Sequence, residues 1–133
     1  MAARQHGVVT RSQALAAGIG SEAIRDRRGR GALHPLHRGV YLVGHPAPPP
    51  LAREQAALLA VGASAHLAGR TAASLWGLLP ADPEADVEIV VVGRQVRARS
   101  GLAIRRATRA LDRADLRRAG GLPVTAPART IVD

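Results

Sequence analysis

The chain has 133 residues, enough for one ordinary domain or two small ones. It contains no cysteine, which excludes a disulfide framework and a thiolate metal site. Nineteen arginines and no lysines face ten acidic residues, so the formal net charge is +9 and favours a polyanionic partner, most simply nucleic acid.

The placement of the arginines is more informative than their number, because the missing lysine and abundant alanine are typical of biased codon usage. Residues 1–45 hold seven arginines and two acidic residues, a net +5 in a third of the chain. An anionic membrane surface would satisfy the same charge. However, there is no secretory signal, and no apolar run approaches the ~20 residues of a membrane span, so we expect a soluble, cytoplasmic protein without a membrane partner.

Residues 9–43 have the order of a winged helix-turn-helix. A short helix over residues 2–6 is predicted to precede the motif. Thr10 and Gln13 then have the spacing of a capping box, in which each side chain bonds to the backbone of the other residue. Gly18 is expected to end the helix that this box begins.

A second helix is predicted over about residues 22–28, with Ser21 as its N-cap. Two helices joined by a glycine-containing turn have the spacing that a helix-turn-helix needs. Leu15 and Ile24 are the apolar residues expected to face each other beneath the second helix. In this motif the second helix enters the major groove, led by its first residues.

A β-rich pattern bent at Gly39 follows and predicts a two-stranded wing with its tip at His37, Arg38 and Gly39. Arg25 is best placed for base edges, whereas Arg11, Arg30 and Arg38 are expected to contact phosphates. A solvated charged face is the alternative for these side chains. The predicted DNA-binding residues are Arg11, Ser21, Arg25, Arg27, Arg28, Arg30, His37 and Arg38.

A proline-rich segment over residues 46–50 predicts a stiff linker between a winged domain (1–45) and a mixed domain (51–133). The second domain is expected to contain helices, strands and a hairpin turning at Gly120 and Gly121. Its predicted elements are helices over 51–61 and 70–78, with Leu75 and Trp76 toward a core, strands over 86–92 and 102–106, hairpin strands over 115–118 and 122–125, and a final helix beginning at Pro127. Because this helix reaches the end of the chain after about two turns, we expect a truncated product or a fragment.

No pattern predicts catalysis or a metal site. His34 and His37 are three residues apart on a strand and point to opposite faces, so with His45 they make a poor metal site. Glu84, Asp86 and Glu88 alternate and could mimic a nuclease site, but a solvent-facing edge opposite Arg105 or Arg106 is the expected arrangement. Neither a nucleophile elbow nor a phosphate loop is present, so neither an enzyme nor a cofactor is expected.

The chain resembles the AbiEi-type antitoxins of type IV toxin–antitoxin systems and related actinobacterial proteins. The resemblance is carried by short motifs in a shared order across nearly the whole chain: HGVVTRSQ (6–13), SEAI (21–24), LH (33–34), HRGVY (37–41), RTAA (70–73), LWG (75–77) and LPVTAPART (122–130). The chain differs from the family at Arg28, where an apolar residue is usual, and at Ala32 and Pro35, where basic residues are usual.

The resemblance implies a winged helix that binds double-stranded DNA at its own promoter and represses it. It further implies a following domain that counteracts a nucleotidyltransferase-like toxin. We therefore predict an α+β fold and a non-catalytic, antitoxin-like autorepressor. The alternative is the DNA-targeting front part of an endonuclease, because many relatives continue into a C-terminal endonuclease-like domain resembling very-short-patch repair nucleases. The operator sequence and the oligomeric state stay open.

Overall fold

A computed structural model of the chain describes residues 5–44, 48–107, 111 and 113–132. It divides into two compact units, Met1–Ala60 and Val61–Asp133, and each of them combines helices with a sheet. The fold is therefore mixed α+β, as the sequence predicted. No helix in the described ranges is long and apolar enough to cross a membrane.

The first unit holds a three-stranded antiparallel sheet in the order β1-β3-β2. Strands β2 and β3 are joined by the turn at Arg38 and Gly39, which confirms the predicted two-stranded hairpin. The third strand, β1, was not predicted because three residues are too few for an alternating pattern. The elements in chain order are β1 (Val8–Thr10), α1 (Arg11–Ala16), α2 (Ser21–Gly29), β2 (Leu33–His37), β3 (Val40–Val43) and α3 (Ala52–Val61).

Helix α1 begins and ends as its sequence predicts. The Gln13 amide donates to the Thr10 hydroxyl at 3.0 Å, and the Thr10 amide donates to the Gln13 side chain at 3.0 Å, which completes the capping box. After the helix, Gly18 has a φ of +92°, a conformation that glycine adopts without a Cβ penalty. The Ile19 amide then returns to the Ala14 carbonyl at 3.0 Å, as in a Schellman motif.

Helix α2 begins one residue earlier than predicted. The Ile24 amide donates to the Gly20 carbonyl, so Gly20 is the N-cap and Ser21 is the first helical residue. The prediction of Ser21 as the N-cap is therefore wrong. Because its hydroxyl is not used for capping, it accepts a hydrogen bond from another helix instead.

The core beneath the two helices uses Ala14 rather than Leu15. Ile24 is 1% exposed and Ala14 3%, whereas Leu15 is 43% exposed, so the predicted contact of Leu15 with Ile24 is wrong. A small residue at the contact lets two short helices approach closely, while its larger neighbour is turned toward solvent. Ala14 and Ile24 share their cluster with Val9, Leu33 and Tyr41.

Helix α3 completes the first unit. Ala52 and Ala56 are buried against Val8, Val40 and Leu42. The sequence assigned this helix to the second domain, yet its packing groups it with the winged part. Residue 45, residues 46 and 47 of the predicted linker, and residues 2–4 of the predicted first helix lie outside the described ranges. Residue 5 has 3-10 conformation, and residues 6 and 7 form a turn.

The second unit is built on a mixed sheet in the order β6-β5-β4-β8-β7. The strands, the hairpin and the helices predicted from the sequence are all present. The central strand β4 was missed because it has only three residues. The elements are β4 (Ala65–Leu67), α4 (Gly69–Leu75), β5 (Val87–Val91), β6 (Leu102–Arg106), a 3-10 turn (Arg113–Asp115), β7 (Leu116–Ala119), β8 (Leu122–Thr125) and α5 (Pro127–Val132).

Hydrogen bonds tie both helices of the second unit to strand β8. The Trp76 indole donates to the Thr125 carbonyl at 2.8 Å, and the hydroxyls of Thr125 and Thr130 are 2.7 Å apart. Both threonines are buried, so this pair satisfies polar groups that would otherwise destabilise the core. Trp76 is half-buried, and its indole N–H points to the sheet.

Candidate nucleic-acid interface

One flank of helix α2 carries Ser21, Arg25 and Arg28. Their spacing, i, i+4 and i+7, places them on the same side of a helix. The flank adjoins the buried side marked by Ile24, and all three residues are exposed. Helix α2 therefore presents two cations and a hydroxyl along one line beside the core.

Arg11 joins this flank to the wing. Its guanidinium Nη2 donates to the Ser21 hydroxyl at 2.8 Å, and its backbone amide donates to the Gly39 carbonyl at 2.8 Å. The start of α1, the start of α2 and the wing tip thus meet at Arg11. Neither bond could be read from the sequence, because Ser21 lies 10 positions after Arg11 and Gly39 lies 28 positions after it.

Arg28 covers the ring of Tyr41. Its guanidinium carbon lies 5.7 Å from the ring centroid, within the range of a cation–π contact, and Tyr41 is only 4% exposed. The arginine thus covers part of a buried ring while adding a positive charge to the flank.

Arg30 is paired within its own helix. Its Nε lies 3.0 Å from an oxygen of Asp26, and both side chains are about two-thirds exposed. Such an exposed pair contributes little to stability. Because it is paired with the Asp26 carboxylate, Arg30 is the weakest candidate for a phosphate contact among the predicted residues.

Arg25 and Arg38 are exposed, and Arg27 is half-buried on the other flank of α2. Within the described ranges, the structure shows no ion pair or hydrogen bond for these three side chains, so their donors remain available for a ligand. His37 is half-buried where β2 enters the wing tip. The predicted residues therefore divide into a joined group (Arg11, Ser21, Arg25, Arg28 and Arg38, with His37 beside it), Arg27 on the far flank, and the paired Arg30.

Residues 1–44 match the family model described as "Transcriptional regulator, AbiEi antitoxin". The matched segment contains α1, α2 and the hairpin of β2 and β3. The match supports the AbiEi-type family for this part of the chain and a regulatory, antitoxin role. No curated protein matches the chain.

The fold of the whole chain is similar to that of a solved structure, the RV2827C protein from Mycobacterium tuberculosis. The TM-score is 0.63 at 24% sequence identity, and the similarity covers 94% of this chain and 54% of that one. The chain thus spans about half the length of the solved protein, and at this identity the likeness concerns the fold alone. Neither similarity concerns an endonuclease, so that alternative stays a prediction.

Glu88 differs from its predicted arrangement, whereas Glu84 and Asp86 are exposed as expected. Strand β5 is inside the sheet rather than at an edge, and its register places Glu88 opposite Ala103. Glu88 is half-buried, and its carboxylate accepts the Arg70 amide at 2.9 Å, at the start of helix α4. The prediction that Glu88 faces solvent opposite an arginine is therefore wrong.

His34 and His66 lie in different local environments. His34 Nε2 lies 2.8 Å from the Gly44 carbonyl. Burial lowers the pKa of His66 below 6.5, and the charge of Arg118 lowers it further, while the backbone of Ser64 partly opposes this. In the described part of the chain, no three His, Asp or Glu side chains are grouped so that they could hold a metal ion.

Proposed function

We propose that the protein is a DNA-binding transcriptional regulator, an antitoxin-like autorepressor of a toxin–antitoxin operon, with no catalytic role. The observation that carries the proposal is the pair of Arg11 hydrogen bonds to Ser21 and Gly39. Through them, the cationic flank of α2 and the wing tip are held together on one surface. A duplex offers a groove for a helix and adjacent phosphates for a wing, which suits such a surface.

In the proposed complex, α2 enters the major groove with Arg25 reaching base edges. Arginine donates two parallel bonds to O6 and N7 of guanine, which discriminates by about 1–3 kcal/mol against other bases. Arg11 and Arg38 contact phosphates and fix the register without reading sequence. Arg28 contributes charge beside them while it remains over Tyr41.

The antitoxin part of the proposal is supported by the family match of residues 1–44. By the same family resemblance, the second unit is the part that would counteract a nucleotidyltransferase-like toxin. Co-expression of the chain with a nucleotidyltransferase encoded next to it tests this role. Relief of growth arrest by the whole chain is expected, and persistent arrest despite normal expression would contradict it.

DNA binding is tested by fluorescence anisotropy of the purified chain on a duplex from its own upstream region. Arg25→Ala is expected to lose about 5- to 150-fold of the preference for this duplex over a scrambled one, the equivalent of ~1–3 kcal/mol. Arg99→Ala removes the same charge from an exposed residue of the second unit and serves as the matched control.

The salt dependence gives a second test of the same proposal. The logarithm of the binding constant should fall with the logarithm of salt concentration, by about 0.9 for each phosphate neutralised. An affinity insensitive to salt, or an unchanged sequence preference in Arg25→Ala, would overturn the proposal of sequence-specific DNA binding.

A further inference from the structure

The edge strands of the two sheets differ in how well they are protected. In the first sheet, β1 has three residues and β2 contains Pro35, which has no amide to donate. In the second sheet, the Arg117 guanidinium donates to the carbonyls of Ala114 at 3.3 Å and Leu116 at 2.8 Å, at the edge formed by β7. The opposite edge of that sheet is the five-residue strand β6. An open edge of this length is a template for pairing with another chain.

The hydrogen bonds of β6 show which of its backbone groups point away from the sheet. Just after the strand, the Ala107 amide donates to the Val91 carbonyl of β5 at 2.8 Å. In a parallel pair every second residue of a strand bonds to its neighbour, so the residues two and four positions earlier also face β5. The amides and carbonyls of Ile104 and Arg106 therefore point to the free edge. Within the described ranges, neither of these two amides has a backbone acceptor.

A cavity opens beside β6 on each face of the sheet. Glu88 and Arg105 line a cavity of about 240 Å³, and Arg94 and Arg106 line another of about 140 Å³. Ile104 borders both cavities. The side chains of an added strand would alternate between the two faces. Each face therefore offers space for every second side chain of such a strand.

The charges beside β6 favour an acidic partner strand. The smaller cavity has the two cations Arg94 and Arg106, and no acidic residue of the described ranges lines it. In the larger cavity, the carboxylate of Glu88 offsets the charge of Arg105. Oppositely charged side chains that face each other across neighbouring strands stabilise the pairing. An aspartate or glutamate is therefore favoured next to Arg106 on the added strand.

A second copy of this chain suits the edge less well. Pairing of two β6 strands would bring the Arg105 and Arg106 side chains of both copies to one edge, and each copy has a formal net charge of +9. Charged side chains on an edge strand oppose such self-pairing. The same arginines attract a strand of opposite charge, so the occupant that fits is a segment of a different, acidic protein.

We propose that the free edge of β6 is a docking site for a protein partner, which adds an extended segment to the sheet and carries an acidic residue next to Arg106. Backbone hydrogen bonds to Ile104 and Arg106 supply affinity, and the two cavities supply specificity. In the antitoxin role this partner is the toxin. The identity of the partner thus rests on the proposed function, whereas the docking edge does not.

The edge is tested with a synthetic peptide of about seven residues, a usual strand length, in which valine and glutamate alternate. A peptide with lysine in place of each glutamate is the matched control. Hydrogen exchange of the whole chain is followed by NMR. The glutamate peptide is expected to slow exchange of the Ile104 and Arg106 amides and to leave those of the β7 edge unchanged. It should bind at least about tenfold more tightly than the lysine peptide. Unprotected amides at both positions, or equal affinity for the two peptides, would overturn the inference.

Two substitutions at one position separate the backbone from the side chain. Ile104→Pro removes an edge amide, and proline is tolerated on edge strands. Ile104→Val keeps the amide with a side chain of similar size and serves as the control. Ile104→Pro should weaken binding of the glutamate peptide by about 2- to 10-fold, the effect of one lost hydrogen bond, while Ile104→Val should not. Equal affinities would contradict pairing at this edge. Should Ile104→Pro not fold, Arg106→Glu decides, because it should abolish the preference for the glutamate peptide.

The nucleotidyltransferase encoded next to the chain tests the identity of the partner. Relief of growth arrest by the unmodified chain and by Ile104→Val, but not by Ile104→Pro, would support docking of the toxin at β6. Equal relief by both variants would leave the antitoxin role intact and overturn the inference. If the unmodified chain gives no relief, the antitoxin role fails, and the peptide measurements alone decide whether β6 is a docking edge.

Discussion

The guanidinium of Arg11 donates a 2.8 Å hydrogen bond to the hydroxyl of Ser21, and so connects the first turns of α1 and α2. The turn between these helices is short, but a turn alone leaves their relative angle adjustable. The hydrogen bond restrains that angle where α2 carries Arg25 one turn further along. The direction in which the cationic flank points therefore depends on a contact between two residues ten positions apart.

Ser21→Ala should reduce DNA affinity more than stability. The lost bond is exposed, so the stability change should lie near the lower end of the ~0.5–1.5 kcal/mol typical of a hydrogen bond. Affinity for the upstream duplex should fall several-fold, because Arg11 loses its position. Ser12→Ala is the control, since Ser12 is also exposed and lies next to Arg11. Equal affinities for the two variants would contradict a positioning role for Ser21.

Ile24→Ala should destabilise the first unit strongly, whereas Leu15→Ala should not. Ile24 is 1% exposed, and removing a buried isoleucine side chain costs about 2–5 kcal/mol. Leu15 is 43% exposed, so its truncation should change stability by about 0.5 kcal/mol or less. Urea denaturation monitored by circular dichroism measures both. Comparable losses of stability in the two variants would contradict the structure and support the predicted contact of Leu15 with Ile24.

Substitutions at Arg28 should separate packing from charge. Arg28→Leu keeps an apolar cover over Tyr41, so its stability should equal or exceed that of the unmodified chain. Arg28→Ala should lose the cation–π contact, ~0.5–1 kcal/mol at an exposed site, and some packing with it. Both should reduce the salt slope of DNA binding equally, by at most one phosphate contact. Different salt slopes for the two variants, measured by anisotropy, would contradict the view that the charge of Arg28 acts on DNA binding independently of its packing on Tyr41.

The second unit should lose stability as the pH falls below about 6.5. Because burial lowers the pKa of His66 in the folded state, the unfolded chain binds its proton first as the pH decreases. The contribution of His66 to the free energy of unfolding is fully present above pH 6.5, and it is lost as the pH falls toward the lowered pKa of the folded state. His66→Gln should show a flatter pH dependence of the thermal midpoint between pH 7.5 and 5.5. His34→Gln is the control, and an identical slope in both variants would exclude His66 as the cause.

Much of the local structure is encoded in short patterns. Thr10 and Gln13 are a capping box in the sequence and in the structure. Gly39 marks the wing turn, and Gly120 with Gly121 marks the hairpin between β7 and β8. These features involve neighbours in the chain, where backbone preferences and side-chain hydrogen bonds act without help from distant residues.

Elements of three residues escaped prediction, even where they are essential to the sheets. Among the described strands, β1 pairs with β3 alone, and β4 joins β5 to β8 in the middle of the second sheet. Three residues give no period to detect, and their strand conformation arises from pairing with distant partners. The predicted contact of Leu15 with Ile24 was wrong for a related reason. One turn of helix α1 contains two apolar residues, and only the packing shows that Ala14 is the buried one.

By itself, the sequence determined the order of the helices and of the longer strands, the caps and turns between them, the mixed α+β class and the concentration of arginine in the first third. Only the tertiary structure decided that Arg11 bonds to Ser21 and that Arg28 covers Tyr41. The physical reason is the sequence separation of the partners. Caps and turns depend on residues within a few positions, whereas these contacts depend on how segments far apart in the chain pack against each other.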